Sequence, residues 1–111
     1  TISLELASAM ESYQNKDYVT ALKKFETISN VDENYLIYKS ICLLEIEQTE
    51  DAITLLEKLV ANGEGTEYYQ QACWYLALAY LCNHEKEKAV DIMNSYFPES
   101  DNFKSLINSL K

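Results

Sequence analysis

Three times along the chain an alanine is followed, one helical turn later, by a bulky apolar residue: Ala21 and Phe25, Ala52 and Leu56, Ala89 and Met93. The alanines stand 31 and 37 positions apart, a mean spacing of 34. The surrounding segments, Tyr13 to Phe25, Leu44 to Leu56 and Leu81 to Met93, align on the same pattern. A small residue lets two antiparallel helices approach closely, and a larger one a turn further on fills the space between them. Recurrence of this pair at one period predicts a stack of helix pairs, and thus an all-α fold, from a 111-residue chain that suits one domain.

Local signals agree. Apolar residues recur at three and four positions, and the chain's two Gly and one Pro are too few for the tight turns of a many-stranded sheet. Seven helices are expected, over about Ile2 to Gln14, Asp17 to Ser29, Glu33 to Glu47, Thr49 to Ala61, Thr66 to Cys82, Glu85 to Tyr96 and Glu99 to Leu110. Asp17, Thr49 and Thr66 are read as N-caps, with Glu50 and Asp51 set against the positive end of the fourth helix. Both glycines fall in Asn62-Gly63-Glu64-Gly65, which must be a loop, and Pro98 ends the sixth helix. The last helix carries Phe103, Leu106, Ile107 and Leu110 on one stripe, with Asp101, Lys104 and Ser105 facing water. Such a stripe suits a cap over the final open core face of an array.

Charge excludes several partners. Eighteen acidic residues against nine lysines, with no arginine, give a formal charge of −9. Nucleic acid needs clustered cations to displace counterions from its phosphates, and anionic lipid needs the same sign of patch. The longest apolar runs, such as Cys73 to Cys82, are far short of the roughly 20 residues that span a bilayer, so no membrane insertion is expected. No cofactor is indicated, and free thiols suit a reducing compartment without naming one. Cys42, Cys73 and Cys82 show no CxxC spacing and sit in apolar helical stretches, as buried free thiols do. Cys73 and Cys82 would lie about 13 Å apart along one helix, beyond disulfide reach.

The period and the residue types resemble the tetratricopeptide repeat family, whose unit is a helix-turn-helix of about 34 residues. The resemblance spans nearly the whole chain as units of about 1–32, 33–65 and 66–97 plus the capping helix at about 99–110. It rests on Ala9, Asp17-Tyr18, Ala21 and Phe25 in the first unit, on Ser40, Leu43, Ala52 and Leu56 in the second, and on Leu76-Ala77, Tyr80 and Ala89 in the third. The family's inter-unit proline is missing, and so is its aromatic in the second unit. The likeness implies a right-handed superhelix whose first helices line a concave face, and a soluble domain of a cytoplasmic scaffold or of a bacterial envelope protein. Its groove positions carry over as Leu6, Met10 and Tyr13; Ile37, Ile41 and Leu44; and Trp74, Leu78 and Leu81. All nine are apolar or aromatic. The implied function is a non-catalytic scaffold that binds an apolar or amphipathic peptide or helix of a partner protein, or an upstream segment of its own chain. The competing expectations are a groove filled from within by side chains such as Trp74 and Tyr13, and a homodimer that buries the same face. The family's grip on a terminal carboxylate needs cations on the inner helices. Lys39 alone is there, on the wrong side.

Other chemistry is weakly indicated. His84 beside Cys82 would need two further metal ligands, and there is no second histidine. Glu47, Glu50 and Asp51 fit helix capping better than paired acid-base work. Gly63-x-Gly65 lacks the third glycine and the preceding strand of a phosphate loop.

Overall fold

The computed structural model describes residues 3–29, 31–97, 101, 104, 105 and 108. Among these the chain is all helical and without strands: α1 (Leu4–Gln14), α2 (Tyr18–Thr27), α3 (Glu33–Glu45), α4 (Thr49–Asn62), α5 (Tyr69–Cys82) and α6 (Lys86–Tyr96). Each helix packs on the next, and α3 also touches α5. The radius of gyration is 14.4 Å, against about 13 Å for a compact domain of this length. The extents of 42 × 29 × 21 Å match a stack drawn out along one axis.

The recurrence seen in the sequence is a recurrence of the core. Ala21, Ala52 and Ala89 are fully buried, and Phe25, Leu56 and Met93 are buried one turn on. On the first helix of each pair, Ala9, Ser40 and Ala77 have no exposed surface and repeat with the same 31- and 37-residue spacing. A hydroxyl is tolerated at Ser40 because its Oγ donates to the Leu36 carbonyl 3.0 Å away.

The turn between the helices of each pair is also built three times. Lys16, Glu47 and His84 occupy left-handed backbone at φ 63°, 67° and 62°, each five positions before the buried alanine. The next amide in each turn reaches back to close the helix end: Asp17 N–H to Ser12 O (2.9 Å), Gln48 to Leu43 (2.8 Å) and Glu85 to Tyr80 (2.8 Å). Left-handed backbone costs a non-glycine residue about 1–2 kcal/mol. Replacing Lys16, Glu47 or His84 by glycine is therefore expected to raise stability by about 0.5–1 kcal/mol each, net of glycine's larger unfolded-state entropy. Urea unfolding would check this, and a loss of stability at all three would remove the common turn.

Some local expectations are corrected. Thr49 is the first residue of α4, and Gln48 holds the cap position without a side-chain bond. Thr66 does not cap α5: its hydroxyl donates to the Gly63 carbonyl, and the helix begins at Tyr69. Asp17 does cap α2, its Oδ1 accepting from Thr20 N at 3.3 Å. Ser3 caps α1 and Asp32 caps α3 in the same manner. Cys42 and Cys73 are buried free thiols, whereas Cys82 is exposed. Of the expected terminal helix, Asp101, Lys104, Ser105 and Asn108 are helical and exposed. Its apolar stripe and Pro98 lie outside the described residues. No helix among the described residues is long and apolar enough to cross a membrane.

Candidate functional site

α3 and α5 are apolar nearly all round, α5 above all, with Trp74, Tyr75, Leu76, Leu78 and Leu81 in a single run, whereas α1 exposes Glu5, Glu11 and Gln14. A helix of this kind has more apolar surface than one partner helix covers. In the first unit Leu6 is buried in the core at 7% exposure, while Met10 and Tyr13 are half-buried against it. In the second, Ile37 is buried at 2%, and Ile41 and Leu44 keep part of their surface in water. In the third, Trp74, Leu78 and Leu81 are all half-buried. Of the nine positions expected to line a groove, two are thus core and seven remain partly accessible.

Aromatic contacts tie this face together. Tyr13 of α1 meets Tyr38 of α3 edge-on, with ring centroids 5.0 Å apart, and Tyr18 of α2 at 5.9 Å. Trp74 stands edge-on to Phe97 at 5.7 Å. Tyr13's phenol is held above its usual range, chiefly by burial and then by the neighbouring hydroxyls of Tyr75, Tyr18 and Tyr38. Residues from α1, α3 and α5 therefore approach one another at Tyr13. Tyr38 and Tyr75 were not among the groove positions read from the sequence. Their signal was available, since each directly follows a groove position, Ile37 or Trp74.

Two buried phenols donate to carboxylates. Tyr80 Oη donates to Glu57 at 2.6 Å, joining α5 to α4, and Tyr68 Oη donates to Glu33 at the start of α3. Burial and then the Glu57 bond raise the Tyr80 phenol, and the Glu33 bond is the main cause at Tyr68. Tyr69 is raised by its bond with Tyr96 and then by burial. Burial pushes the Cys42 thiol up to about 11 and raises Cys73 as well. These shifts share one sign: the folded protein keeps protons that the unfolded chain loses. Stability is expected to hold below the ordinary thiol value of 9.0 and to fall as pH rises from there toward about 11, where Cys42 ionises in place. Thermal melts from pH 7 to 11 measure this, and a melting temperature flat across that range would contradict it.

The remaining candidates are placed by the turns. His84 is exposed in the left-handed position shared with Lys16 and Glu47, three unrelated side chains in one backbone role. Glu50 and Asp51 lie in the first turn of α4, where carboxylates face the positive helix end. No cluster of three or more His, Cys, Asp or Glu side chains suited to a metal occurs among the described residues. Lys39 lines a recess with Glu26, Leu43 and Lys58, on the side of α3 that faces α2 and α4. Compared with protein-family models, with curated proteins and with solved structures, the chain matches none.

Proposed function

We propose that this chain is a tetratricopeptide-like interaction module whose α1, α3 and α5 line a concave face that binds an apolar or amphipathic peptide segment. The observation that carries the reading is the face itself. Nine positions in one repeating register are all apolar, and seven of them, most packed against the core, keep part of their surface accessible. Contiguous exposed apolar surface is uncommon on monomers and marks interaction sites. The turn built three times and the contact between α3 and α5 support the repeat architecture on which the face depends. Helix-in-groove binding reads a peptide through anchors at i, i+3, i+4 and i+7, the spacing these rows would meet.

The test is a peptide-display selection on the purified domain, followed by titration calorimetry of the selected sequences. Amphipathic peptides are expected, and the double variant Leu44→Asp with Leu78→Asp is expected to weaken them by at least about tenfold, since each change sets an unpaired charge in an apolar contact. Both side chains are half-buried, so circular dichroism should still report a folded domain. Selected peptides that bind the double variant as tightly as the parent would overturn the reading. Self-association through the same face is the competing outcome, and a strictly monomeric species at high micromolar concentration removes it.

A further inference from the structure

Between the first turns of α3 and α5 lies an open pocket of about 330 Å³, lined by Asn34, Tyr35, Tyr38, Glu67, Tyr68 and Gln71. Three tyrosines line it together with Asn34, Glu67 and Gln71, each of which carries an acceptor oxygen. The Tyr35 and Tyr38 rings sit 6.2 Å apart and tilted by 38°. Asn34 and Gln71 contribute amide oxygens, and Glu67 an exposed carboxylate. No lysine is among the lining residues. Tyr68 is buried, and its hydroxyl is given to Glu33.

The sign of the local field follows from its charges. Two helix N-termini contribute about +0.5 each. Asp32 and Glu33, which both act on Tyr68, and Glu67 in the lining supply three negative charges against them. The carboxylates win, and the chain's −9 reinforces them. An acidic ligand group would meet Glu67, and an aliphatic one would strip water from that carboxylate without replacing its bonds. A cation gains on both counts, because tyrosine faces attract it while carboxylate and amide oxygens accept its hydrogens. The pocket adjoins the apolar positions of α1, since Tyr38 in its lining stands edge-on to Tyr13.

We propose that this pocket receives the ammonium or guanidinium group of a lysine or arginine side chain carried by the peptide bound across α1, α3 and α5. The assignment rests on the peptide-binding reading above, and it narrows the partner to a segment with apolar anchors and a flanking cation.

The pocket can be probed without the peptide. Nα-acetyl-lysine methylamide, titrated to millimolar concentration, is expected to shift the Tyr35 and Tyr38 ring signals saturably in NMR spectra and to leave Tyr96 unmoved. Nα-acetyl-norleucine methylamide should give no saturable shift. Glu67→Gln, a change at an exposed side chain, is expected to weaken the lysine amide about threefold, the range of an exposed ion pair. Tyr38→Leu should weaken it by about another threefold through loss of a cation–π face. Added salt should weaken binding further. Equal shifts with norleucine, or an affinity unchanged in Glu67→Gln, would overturn the pocket. A selected peptide that binds through Leu44 and Leu78 but is indifferent to lysine-to-norleucine exchange at every position would also overturn it, leaving the groove standing. Pocket binding of the lysine amide without any peptide binding would sink the groove alone.

Discussion

Replacing Phe25 with alanine is expected to lower the unfolding free energy by about 3–5 kcal/mol, the cost of emptying a fully packed aromatic site. Phe25 is 2% exposed and lies one turn after fully buried Ala21, between α2 and its neighbours α1 and α3. Packed helices collapse only partly around a lost ring, so much of the cavity should persist. A domain of this size has roughly 5–15 kcal/mol in total, which makes this one change a large fraction of it. Urea unfolding followed by circular dichroism would measure the shift in midpoint. Val19→Ala, on the same helix but 50% exposed, should stay within about 0.5 kcal/mol of the parent. If Phe25→Ala cost no more than Val19→Ala, the pairing of α1 with α2 described above would be wrong. Leu56→Ala should fall in the same class at about 2–5 kcal/mol, because Leu56 has no exposed surface and holds the corresponding place in the second pair.

The helix pairs were legible because their signal is strictly local. An alanine and a bulky residue four positions later need only the same helix to be read, and the three copies confirm one another. Helix starts were less legible. Thr49 has the better capping side chain, yet Gln48 holds the cap because each second helix begins two residues after the left-handed turn position. That rule places Tyr18, Thr49 and Lys86 first. At α5 the reason is tertiary. Tyr68 is buried with its hydroxyl on Glu33, and this long-range anchor sets where the helix begins. Cys82 was read as buried from its apolar neighbours alone. In the repeating register it corresponds to Gln14 and Glu45, both exposed, and it is exposed too.

The proposed groove was legible only as a composition. Apolar residues at i, i+4 and i+7 mark a face but not its depth, and Leu6 and Ile37 are core where Trp74, in the same register, is half-buried. Depth depends on what the next helix places opposite each residue, which no single helix encodes. The tyrosine meeting point was missed for a related reason. Tyr13 and Tyr38 are 25 positions apart, and their contact exists only once α2, packed on both α1 and α3, brings the two helices within reach.

Gly63→Ala is expected to cost about 2–3 kcal/mol, at the upper end for overpacking, although its backbone could carry any residue. Its φ of −97° is ordinary for a side chain, so glycine is required here by space. A Cβ at this position would lie 2.4 Å from the Leu59 carbonyl oxygen, 2.8 Å from Tyr68 Cε1 and 3.2 Å from Tyr69 Cδ1. The first neighbour is helix backbone and cannot rotate away. The second belongs to a buried ring whose far end is bound to Glu33. Gly65 is the opposite case, with open space around it but φ at +84°, and Gly65→Ala should cost only about 1–2 kcal/mol through the left-handed backbone. The two alanine variants also differ in what they disturb. Gly63→Ala must push Tyr68 outward and reshape the wall of the pocket between α3 and α5, so it should weaken the lysine amide as well as the fold. Gly65→Ala should leave that affinity unchanged. Urea unfolding and the NMR titration, run on both variants, separate the two causes. Equal stability losses together with equal lysine-amide affinities would show that Gly63 is not the close-packed joint between α4 and the pocket.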